Sequence, residues 1–305
     1  MENMKFYWLT FFIFLSSCTL FYKTVKPNYF PAPQSIVDPE KIEFFWVGHA
    51  TVLIRLFDKL ILTDPNFSSH TGIIMKRFIE PGINLDKLEK VDFILISHTH
   101  FDHLDQPSLR LLKGSKHILA PGYGTTYIPD ELFNNIHSVS NMKEFELEGV
   151  KITAVPVRHF GGRWLLDNFW DGDPFTGYII EYKGVTVFFG GDTGYDDSIF
   201  KLLGRSFNID IALIPVGPAS WITGGGLGNS VHVNPFGAVQ IFKDTNAKYM
   251  IPIHHSTFYR RGGSEMEMIL ESMEKSGSKD KIKLLRIGEK AEFKKIANKI
   301  EFVKN

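Results

Sequence analysis

The chain has 305 residues, of which 44% are hydrophobic and 22% charged, a composition typical of a globular protein. Lysine plus arginine and aspartate plus glutamate each number 34, so the formal net charge is zero, and the sequence lacks the basic excess that nucleic-acid-binding proteins usually carry. Cys18 is the single cysteine, which excludes an intrachain disulfide and a cysteine-based zinc site. Any metal ion would therefore bind through histidine, aspartate and glutamate.

The N-terminal residues differ in character from the rest of the chain. An apolar run from Phe6 to Leu15 is followed by two serines and then Cys18, an order typical of a secretory signal peptide. The Leu-Ser-Ser-Cys ending resembles the lipobox of bacterial lipoproteins, in which the cysteine is lipidated and becomes the new N-terminus. We therefore predict a signal peptide at 1–17 and a lipid-bearing cysteine at Cys18.

Residues 18–40 are predicted to form an extended tether, because four prolines lie between 23 and 40. An alternative for the N-terminus is an uncleaved membrane anchor, since residues 6–22 carry no charge and about 20 apolar residues span a bilayer. Both interpretations place the remaining chain outside the cytoplasm, attached to a membrane. The expected location is the bacterial cell envelope, on its periplasmic or surface face.

From residue 41 to residue 305, runs of β-branched and aromatic residues alternate with shorter helical patterns, which predicts a single domain of mixed α/β type. We predict strands at 41–57, 59–65, 90–97, 116–121, 150–160, 176–184, 185–195, 209–217, 248–258 and 281–293. We predict helices at 107–114, 197–204, 234–246 and 264–277. Pro107, the Asn-Pro pair at 234–235 and the Ser-x-x-Glu pattern at 264–267 mark helix N-termini.

The sequence SHTHFDHLD at 97–105 follows an apolar run and is rich in metal-binding side chains. In extended backbone, positions i and i+2 point to the same side, so His98 and His100 can reach one ion together, whereas a helix would place them on opposite faces. Asp102 and His103 lie further along and can serve a second ion. Imidazole and carboxylate are the usual zinc ligands when cysteine is absent.

Three more candidate ligands follow apolar runs later in the chain: His159, Asp192 and His254. Ligands at successive strand ends indicate one shared edge of the sheets. Gly190 and Gly191 before Asp192 allow a close approach of the backbone. Together with the first cluster these residues make seven ligands, enough for two four-coordinate ions if one carboxylate bridges them.

These motifs resemble the metallo-β-lactamase superfamily, whose hallmark is His-x-His-x-Asp-His followed by later His, Asp and His ligands. Within it, the chain is most similar to the group of phospholipases D that hydrolyse N-acylphosphatidylethanolamine. The resemblance covers about residues 42–290, and the segments that carry it are FFWVGHATVLI (44–54), LTDPNFS (62–68), ISHTHFDHLD (96–105), PVRHFGGR (156–163), FFGGDTGY (188–195), HVNPFGA (232–238) and IHHSTF (253–258). The last motif departs from the group, because His255 and Ser256 replace the usual tryptophan and glycine.

The resemblance implies a four-layer αββα sandwich with a dinuclear zinc site at one edge and a hydroxide held between two ions. It assigns His98, His100 and His159 to one zinc ion, and Asp102, His103 and His254 to the other. Asp192 would bridge the two ions. Iron or manganese remain alternatives, because sites built from histidine and aspartate accept several ions.

Four further residues are candidates for roles beside the metals. His232 either donates a proton or hydrogen bond to the substrate or is a structural residue at the start of a helix, and we expect catalysis to depend on it and on Asp102. His49 and His255 are candidates for contacts with ligands or substrate. Asp64 either orients a ligand histidine or makes a turn.

The resemblance favours a phosphodiesterase of phospholipase D type that acts on N-acylphosphatidylethanolamine-like phospholipids at the membrane. The same site would also suit hydrolysis of a lactone, another carboxylic ester or an amide. A tethered scaffold with an inactive site is a third interpretation, which the complete ligand set disfavours. The expected partners are a small-molecule or phospholipid substrate and the membrane, and nucleic acid is not expected.

Overall fold

The computed structural model describes residues 24–27, 40–72, 75–88, 90–163, 174–218, 224–258, 264–297 and 299–303. The predicted signal peptide at 1–17, Cys18 and most of the predicted tether lie outside these ranges. Among the helices formed within them, none has the length and apolar character needed to cross a bilayer.

The described residues form sixteen strands and four α-helices. In chain order the strands are β1 Ile42–Gly48, β2 Thr51–Leu56, β3 Lys59–Thr63, β4 His70–Thr71, β5 Met75–Lys76, β6 Phe93–Leu95, β7 His117–Pro121, β8 Ile136–Val139, β9 Glu144–Leu147, β10 Val150–Val155, β11 Gly177–Tyr182, β12 Val185–Phe189, β13 Ile211–Pro215, β14 Tyr249–Ile253, β15 Lys290–Ile296 and β16 Lys299–Phe302. The helices are α1 Gln106–Leu111, α2 Asp197–Ser206, α3 Pro235–Asp244 and α4 Ser264–Ser276.

Two large sheets contain fourteen of these strands. The eight-stranded sheet has the order β16-β15-β1-β2-β3-β6-β7-β8, and the six-stranded sheet has the order β14-β13-β12-β11-β10-β9. In the first sheet β3, β6, β7 and β8 pair in parallel, and in the second β12, β13 and β14 pair in parallel. The carboxyl ends of neighbouring parallel strands share one edge of each sheet, where sites on α/β sheets gather.

The central core lies between the two sheets. Phe44 and Trp46 of β1 belong to the same buried cluster as Tyr178 of β11 and Phe189 of β12. The Tyr178 hydroxyl crosses this interface and donates a hydrogen bond to the Ile96 carbonyl at 2.8 Å. Apolar side chains that alternate along each strand therefore face one another across the sandwich.

Helices cover the outer faces of both sheets. Phe200 of α2, Ile241 of α3 and Ile269 of α4 belong to the buried cluster on the outside of the six-stranded sheet. Leu109 of α1 belongs to a third buried cluster with residues of the eight-stranded sheet. The predicted αββα layering is thus the observed architecture.

The helix starts follow the predicted capping chemistry. The Asp105 carboxylate caps α1 by accepting from Ser108 N at 3.1 Å, with Pro107 in the first turn. Asn234 caps α3 by accepting from Phe236 N, and Pro235 is its first residue. All four predicted helices are present.

The strand predictions differ from the structure in three regions. The strand predicted at 41–57 is two antiparallel strands, β1 and β2. No strand begins at 281, because Lys279–Lys281 form a 3₁₀ turn and the last hairpin starts at Lys290. We did not predict β8 and β9, whose side chains are largely exposed or half-buried at the sheet edges. Edge strands need no continuous apolar run, so their sequences carry little signal.

Residues Thr24–Pro27, within the predicted tether, lie against the domain. Val25 N donates to the Phe78 carbonyl at 2.7 Å, and Glu80 N donates to the Val25 carbonyl at 2.9 Å. The Thr24 hydroxyl donates to the Arg77 carbonyl at 3.1 Å. We call residues 24–27 the N-terminal strap.

Candidate metal centre

The seven predicted ligands meet at one edge of the sandwich. They come from the loop after β6, the loop after β10, the turn after β12 and the end of β14. The side chains of this group stand close enough to form several sets of donor atoms within 4.8 Å of one another. The members are His98, His100, Asp102, His103, His159, Asp192 and His254.

His98, His100 and His159 form the first donor group. His98 Nε2 lies 2.8 Å from His100 Nδ1, which in turn lies 3.4 Å from His159 Nε2. Three ring nitrogens therefore converge on one point. This is the trio that the sequence assigned to the first ion.

Hydrogen bonds on the far side of two of these rings fix which nitrogen faces the cluster. His159 Nδ1 lies 2.8 Å from the Val231 carbonyl, which can only accept, so Nδ1 carries the proton and Nε2 is free. His98 Nδ1 lies 2.9 Å from the Ser97 hydroxyl oxygen. That hydroxyl donates to Asp64 at 2.6 Å, so it accepts from His98. Both rings thus present an unprotonated Nε2.

Asp102, His103 and His254 form a second donor group together with His49. Asp102 Oδ2 lies 3.7 Å from His103 Nε2 and 4.0 Å from His254 Nε2. The rings of His103 and His254 stand 5.4 Å apart and nearly parallel. This group contains the three ligands that the sequence assigned to the second ion, with His49 as an addition.

Asp192 lies between the two groups. One carboxylate oxygen is 3.3 Å from His103 Nε2, and the other is 3.0 Å from His254 Nε2. Its carboxylate also forms a donor group with His159 and His232. Asp192 therefore has contacts on both sides, which is the position a bridging carboxylate needs.

Gly191 makes this position of Asp192 accessible. Its φ of +57° lies in the left-handed region. A Cβ atom at Gly191 would lie 2.5 Å from Ser97 Cβ, inside van der Waals contact. Glycine is therefore needed for the turn after β12 to approach the end of β6.

In the absence of an ion, the carboxylates of the centre favour the protonated form of His103. Burial opposes protonation of His103, but the carboxylates of Asp192, Asp102 and Asp64 together hold its pKa well above the usual value. The pKa of Asp192 lies well below its ordinary range, because His254 and His103 outweigh the burial that would raise it. Carboxylates thus surround the point where the second group converges.

Burial has the opposite effect on His98 and His159. It lowers the pKa of His159 to about 3 and that of His98 well below its usual value. These rings are therefore neutral at physiological pH. Neutral imidazole is the form of histidine that binds metal ions.

Asp64 holds His103 from behind. Its carboxylate accepts from His103 Nδ1 at 2.6 Å, from the Ser97 hydroxyl at 2.6 Å and from Ser97 N at 2.7 Å. The side chain is fully buried. Of the two roles considered from the sequence, the contacts match the one in which Asp64 orients a ligand histidine.

His232 and His255 occupy different surroundings. His232 Nδ1 lies 3.6 Å from Asp192 Oδ2, on the side where the centre is open to solvent. His255 stacks on Trp46 with ring centres 4.2 Å apart, and it belongs to none of the donor groups formed by the described residues. The structure therefore brings His232 to the centre and places His255 behind it.

Residues 97–105 carry four of the proposed ligands, and we call them the metal-binding loop. Sequence patterns did not identify three residues that support this loop. Ser97 connects Asp64 to His98, as described above. Asn66 Nδ2 donates to the Asp102 carbonyl at 3.1 Å. Arg163 donates to the carbonyls of Thr99 at 3.1 Å and Leu104 at 2.6 Å. These contacts join segments that are distant in sequence, so no local spacing of residues predicts them.

The residues fit a pair of metal ions. His103 Nε2, His254 Nε2 and Asp192 Oδ1 are buried and make no hydrogen bond of normal geometry, although the last two atoms lie 3.0 Å apart. Leaving such an atom unpaired costs about 1–3 kcal/mol, which a bound cation would offset. Donors of imidazole and carboxylate type suit zinc and other divalent transition metals.

Comparison with protein families agrees with this site. The model of the Beta-lactamase superfamily domain matches residues 59–255, which include β3, the metal-binding loop and the end of β14. The chain belongs to this superfamily. The resemblance of the sequence motifs is thereby confirmed.

Several curated relatives carry functional names, and two of them illustrate the range. N-acyl-phosphatidylethanolamine-hydrolyzing phospholipase D 1 of Caenorhabditis elegans is 30% identical over 239 residues, which cover 70% of this chain and 63% of the relative. A UPF0173 metal-dependent hydrolase of Caldivirga maquilingensis is 26% identical over 237 residues, covering 75% of this chain and 89% of the relative. The chain spans about 60% of the length of several curated relatives, the nematode protein among them.

Solved structures share the fold. Igni18, a metallo hydrolase from the archaeon Ignicoccus hospitalis, superposes with a TM-score of 0.61 at 20% sequence identity, covering 84% of this chain and 100% of Igni18. The described architecture is thus shared with Igni18.

Proposed function

We propose that the chain is a dinuclear zinc phosphodiesterase of phospholipase D type, with N-acylphosphatidylethanolamine-like phospholipids as substrates. The observation that carries the proposal is the pair of donor groups on either side of the Asp192 carboxylate. The similarity to the nematode phospholipase D supports the substrate class.

In this proposal His98, His100 and His159 hold one zinc ion, Asp102, His103 and His254 hold the other, and Asp192 touches both. When bound, such a pair supplies Lewis acidity toward a phosphoryl oxygen and a nucleophilic water at neutral pH. Neighbouring protein residues fix the orientation of the proposed ligands. Asp64 and the Val231 carbonyl accept hydrogen bonds from Nδ1 of His103 and Nδ1 of His159, so that Nε2 of each ring faces the centre.

His232 is placed to contact the substrate. Its side chain is 16% exposed, whereas that of the neighbouring Asp192 is 2% exposed. Burial lowers the pKa of His232, so the ring is neutral and carries one N–H at neutral pH. We propose that this N–H donates a hydrogen bond to a phosphoryl or leaving-group oxygen at the mouth of the site.

Phe160 provides an apolar surface beside the same opening. Its side chain is 45% exposed. It packs on His100 and His159 with ring centres 4.6 and 4.8 Å apart. An exposed phenylalanine in contact with two proposed ligands suits a substrate whose acyl chain lies next to its phosphodiester.

The membrane attachment completes the proposal. A lipid on Cys18 would hold the enzyme at the surface that contains its substrate, in the bacterial cell envelope. Cleavage after the signal peptide can be tested by mass spectrometry of the mature N-terminus. An intact Met1, which would indicate the uncleaved anchor, would contradict lipidation at Cys18.

The function is tested with purified protein and defined lipids. Protein reconstituted with zinc is expected to contain two ions and to release phosphatidic acid from N-acylphosphatidylethanolamine, as read by mass spectrometry. An Asp102→Ala variant serves as the inactive control. Release of a fatty acid would instead indicate ester or amide hydrolysis, and a two-zinc protein that leaves every phosphodiester intact would contradict the proposal.

His232→Gln separates the catalytic role from a structural one. The expected result is a decrease in kcat of about 10²-fold or more with two zinc ions retained, the range for loss of a proton-transferring or hydrogen-bonding side chain. Normal turnover in this variant would leave His232 as a structural residue.

A further inference from the structure

His49 is fixed more firmly than a turn residue requires. It lies between β1 and β2 with a φ of +56°, in the left-handed region. His49 N donates to the Thr257 hydroxyl at 2.7 Å, and the His49 carbonyl accepts from His254 N at 2.9 Å. Trp46 Nε1 donates to the same carbonyl at 2.9 Å. Its backbone is therefore hydrogen-bonded to the segment that carries the proposed ligand His254.

The side chain of His49 reaches the centre as well. His49 Nε2 lies 3.0 Å from Asp102 Oδ2. The ring is 4% exposed and packs edge-on against Phe258, with ring centres 4.9 Å apart. The imidazole is thus directed at one carboxylate oxygen by contacts on both its faces.

The ring positions distinguish a ligand from a neighbour of a ligand. Two imidazoles that bind one tetrahedral ion through bonds of about 2.1 Å stand with ring centres roughly 5 Å apart. His103 and His254 stand 5.4 Å apart, which agrees with this value. His49 stands 5.2 Å from His103 but only 3.9 Å from His254, in a stacking contact. That distance is shorter than the shortest distance between two rings assigned to one ion, 4.4 Å for His98 and His100, so His49 does not fit beside His254 on the same ion.

Asp102 is the more exposed of the two aspartates among the proposed ligands. Its side chain is 21% exposed, against 2% for Asp192. Asn66 holds its backbone carbonyl, but within the described part of the chain no group other than His49 makes a hydrogen bond to the carboxylate. A free carboxylate in a loop would rotate among its rotamers, and a hydrogen bond to Oδ2 selects one of them.

We propose that His49 is a positioning residue whose Nε2–H donates a hydrogen bond to Asp102 Oδ2 and holds that carboxylate toward the second ion. The inference rests on the proposed metal centre and assigns a role to the histidine of the GHAT sequence. It also defines the ring tautomer: Nε2 is protonated with and without metal.

Two substitutions of similar size test the role. His49→Gln places an amide N–H where Nε2–H stands, whereas His49→Leu fills the space without a donor. We expect His49→Leu to bind the second zinc equivalent about 10–100-fold more weakly, the usual cost of losing a hydrogen bond to a metal ligand. His49→Gln should stay within a few-fold of the wild-type affinity. The measurement is competition with a chromophoric chelator, with thermal unfolding of each apo variant as the folding control.

The outcomes separate the explanations. Equal weakening in both variants would mean that His49 is itself a ligand, and unchanged affinity in both would mean that it only packs. Either result overturns the inference. If the wild-type protein binds no zinc, the proposed function fails as well, whereas two ions bound with the same affinities by wild type and by His49→Leu contradict the inference alone.

A second measurement uses the wild-type chain and does not depend on folding of a variant. Two-dimensional ¹⁵N NMR of the histidine rings reports which nitrogen carries the proton. We expect a protonated Nε2 in His49 in both the apo and the zinc-loaded protein. An unprotonated Nε2 after zinc loading would refute the positioning role.

Discussion

Replacement of Asp64 by asparagine should lower the zinc affinity of the centre, although it replaces none of the proposed ligands. The carboxylate accepts three hydrogen bonds, two from Ser97 and one from His103. An amide can accept at one oxygen only. The Ser97 hydroxyl can rotate away from the new NH₂ group, but the Ser97 backbone N–H cannot, so the amide nitrogen takes the Oδ2 position and faces His103 Nδ1–H.

The new amide N–H and His103 Nδ1–H are then two donors that face each other. The repulsion between them is removed when the His103 proton moves from Nδ1 to Nε2. That is the nitrogen that faces the centre. We therefore expect Asp64→Asn to bind the second zinc equivalent about 10–100-fold more weakly, which corresponds to roughly 1.4–2.7 kcal/mol. The buried charged hydrogen bond that is lost should also lower the free energy of unfolding of the apo protein by about 1.5–3 kcal/mol.

Asp105→Asn is the matched control. Asp105 is also buried, lies at the end of the loop that carries four proposed ligands, and accepts from Ser68 and Ser108, away from those ligands. It should lose stability but keep both zinc affinities. Zinc competition titrations, carried out well below the unfolding temperature of each variant, separate the two effects. Two zinc ions bound by Asp64→Asn with wild-type affinity would refute the orientation of His103 by Asp64.

Three further outcomes are expected. Removal of metal with a chelator should lower Tm by roughly 5–10 °C, because an ion present at 100 times its Kd stabilises by about 2.7 kcal/mol and a domain of this size shifts by about 2–4 °C per kcal/mol; an unchanged Tm would argue against a bound ion. Tyr178→Phe should lose about 1 kcal/mol of unfolding free energy in denaturant titrations, since its hydroxyl bonds the Ile96 carbonyl inside the core. Gly191→Ala should cost roughly 1–3 kcal/mol or more and reduce zinc content, because the turn is left-handed and Ser97 stands 2.5 Å from the added Cβ; a wild-type Tm with full zinc content would show that the turn relaxes freely.

The parts of this fold that the sequence predicts are those with strong local signals. The buried strands β6, β12 and β14 have largely apolar sequences, and proposed ligands follow each of them. The spacing of His98 and His100 alone separates a strand end from a helix. The helices begin at residues whose side chains cap them.

The residues that the sequence did not reveal act through tertiary contacts. Ser97 is one serine among many until the fold brings Asp64 within 2.6 Å of its hydroxyl. Likewise, the Val231 carbonyl has no side-chain signature, yet it fixes the tautomer of His159. His49 was only a candidate for contact with a ligand, because no local pattern relates it to Asp102, 53 positions away.

If Cys18 carries a lipid, the N-terminal strap would limit how far the domain can move from the membrane. Thr24 bonds the Arg77 carbonyl, Arg77 bonds Asn66, and Asn66 bonds the Asp102 carbonyl, so the strap and the metal centre are separated by a short chain of contacts. Only residues 19–23 lie between Cys18 and Thr24. Even fully extended they reach roughly 20 Å. With a lipid on Cys18, the catalytic edge would work on the leaflet that carries its own anchor, and substrate would arrive by diffusion in two dimensions.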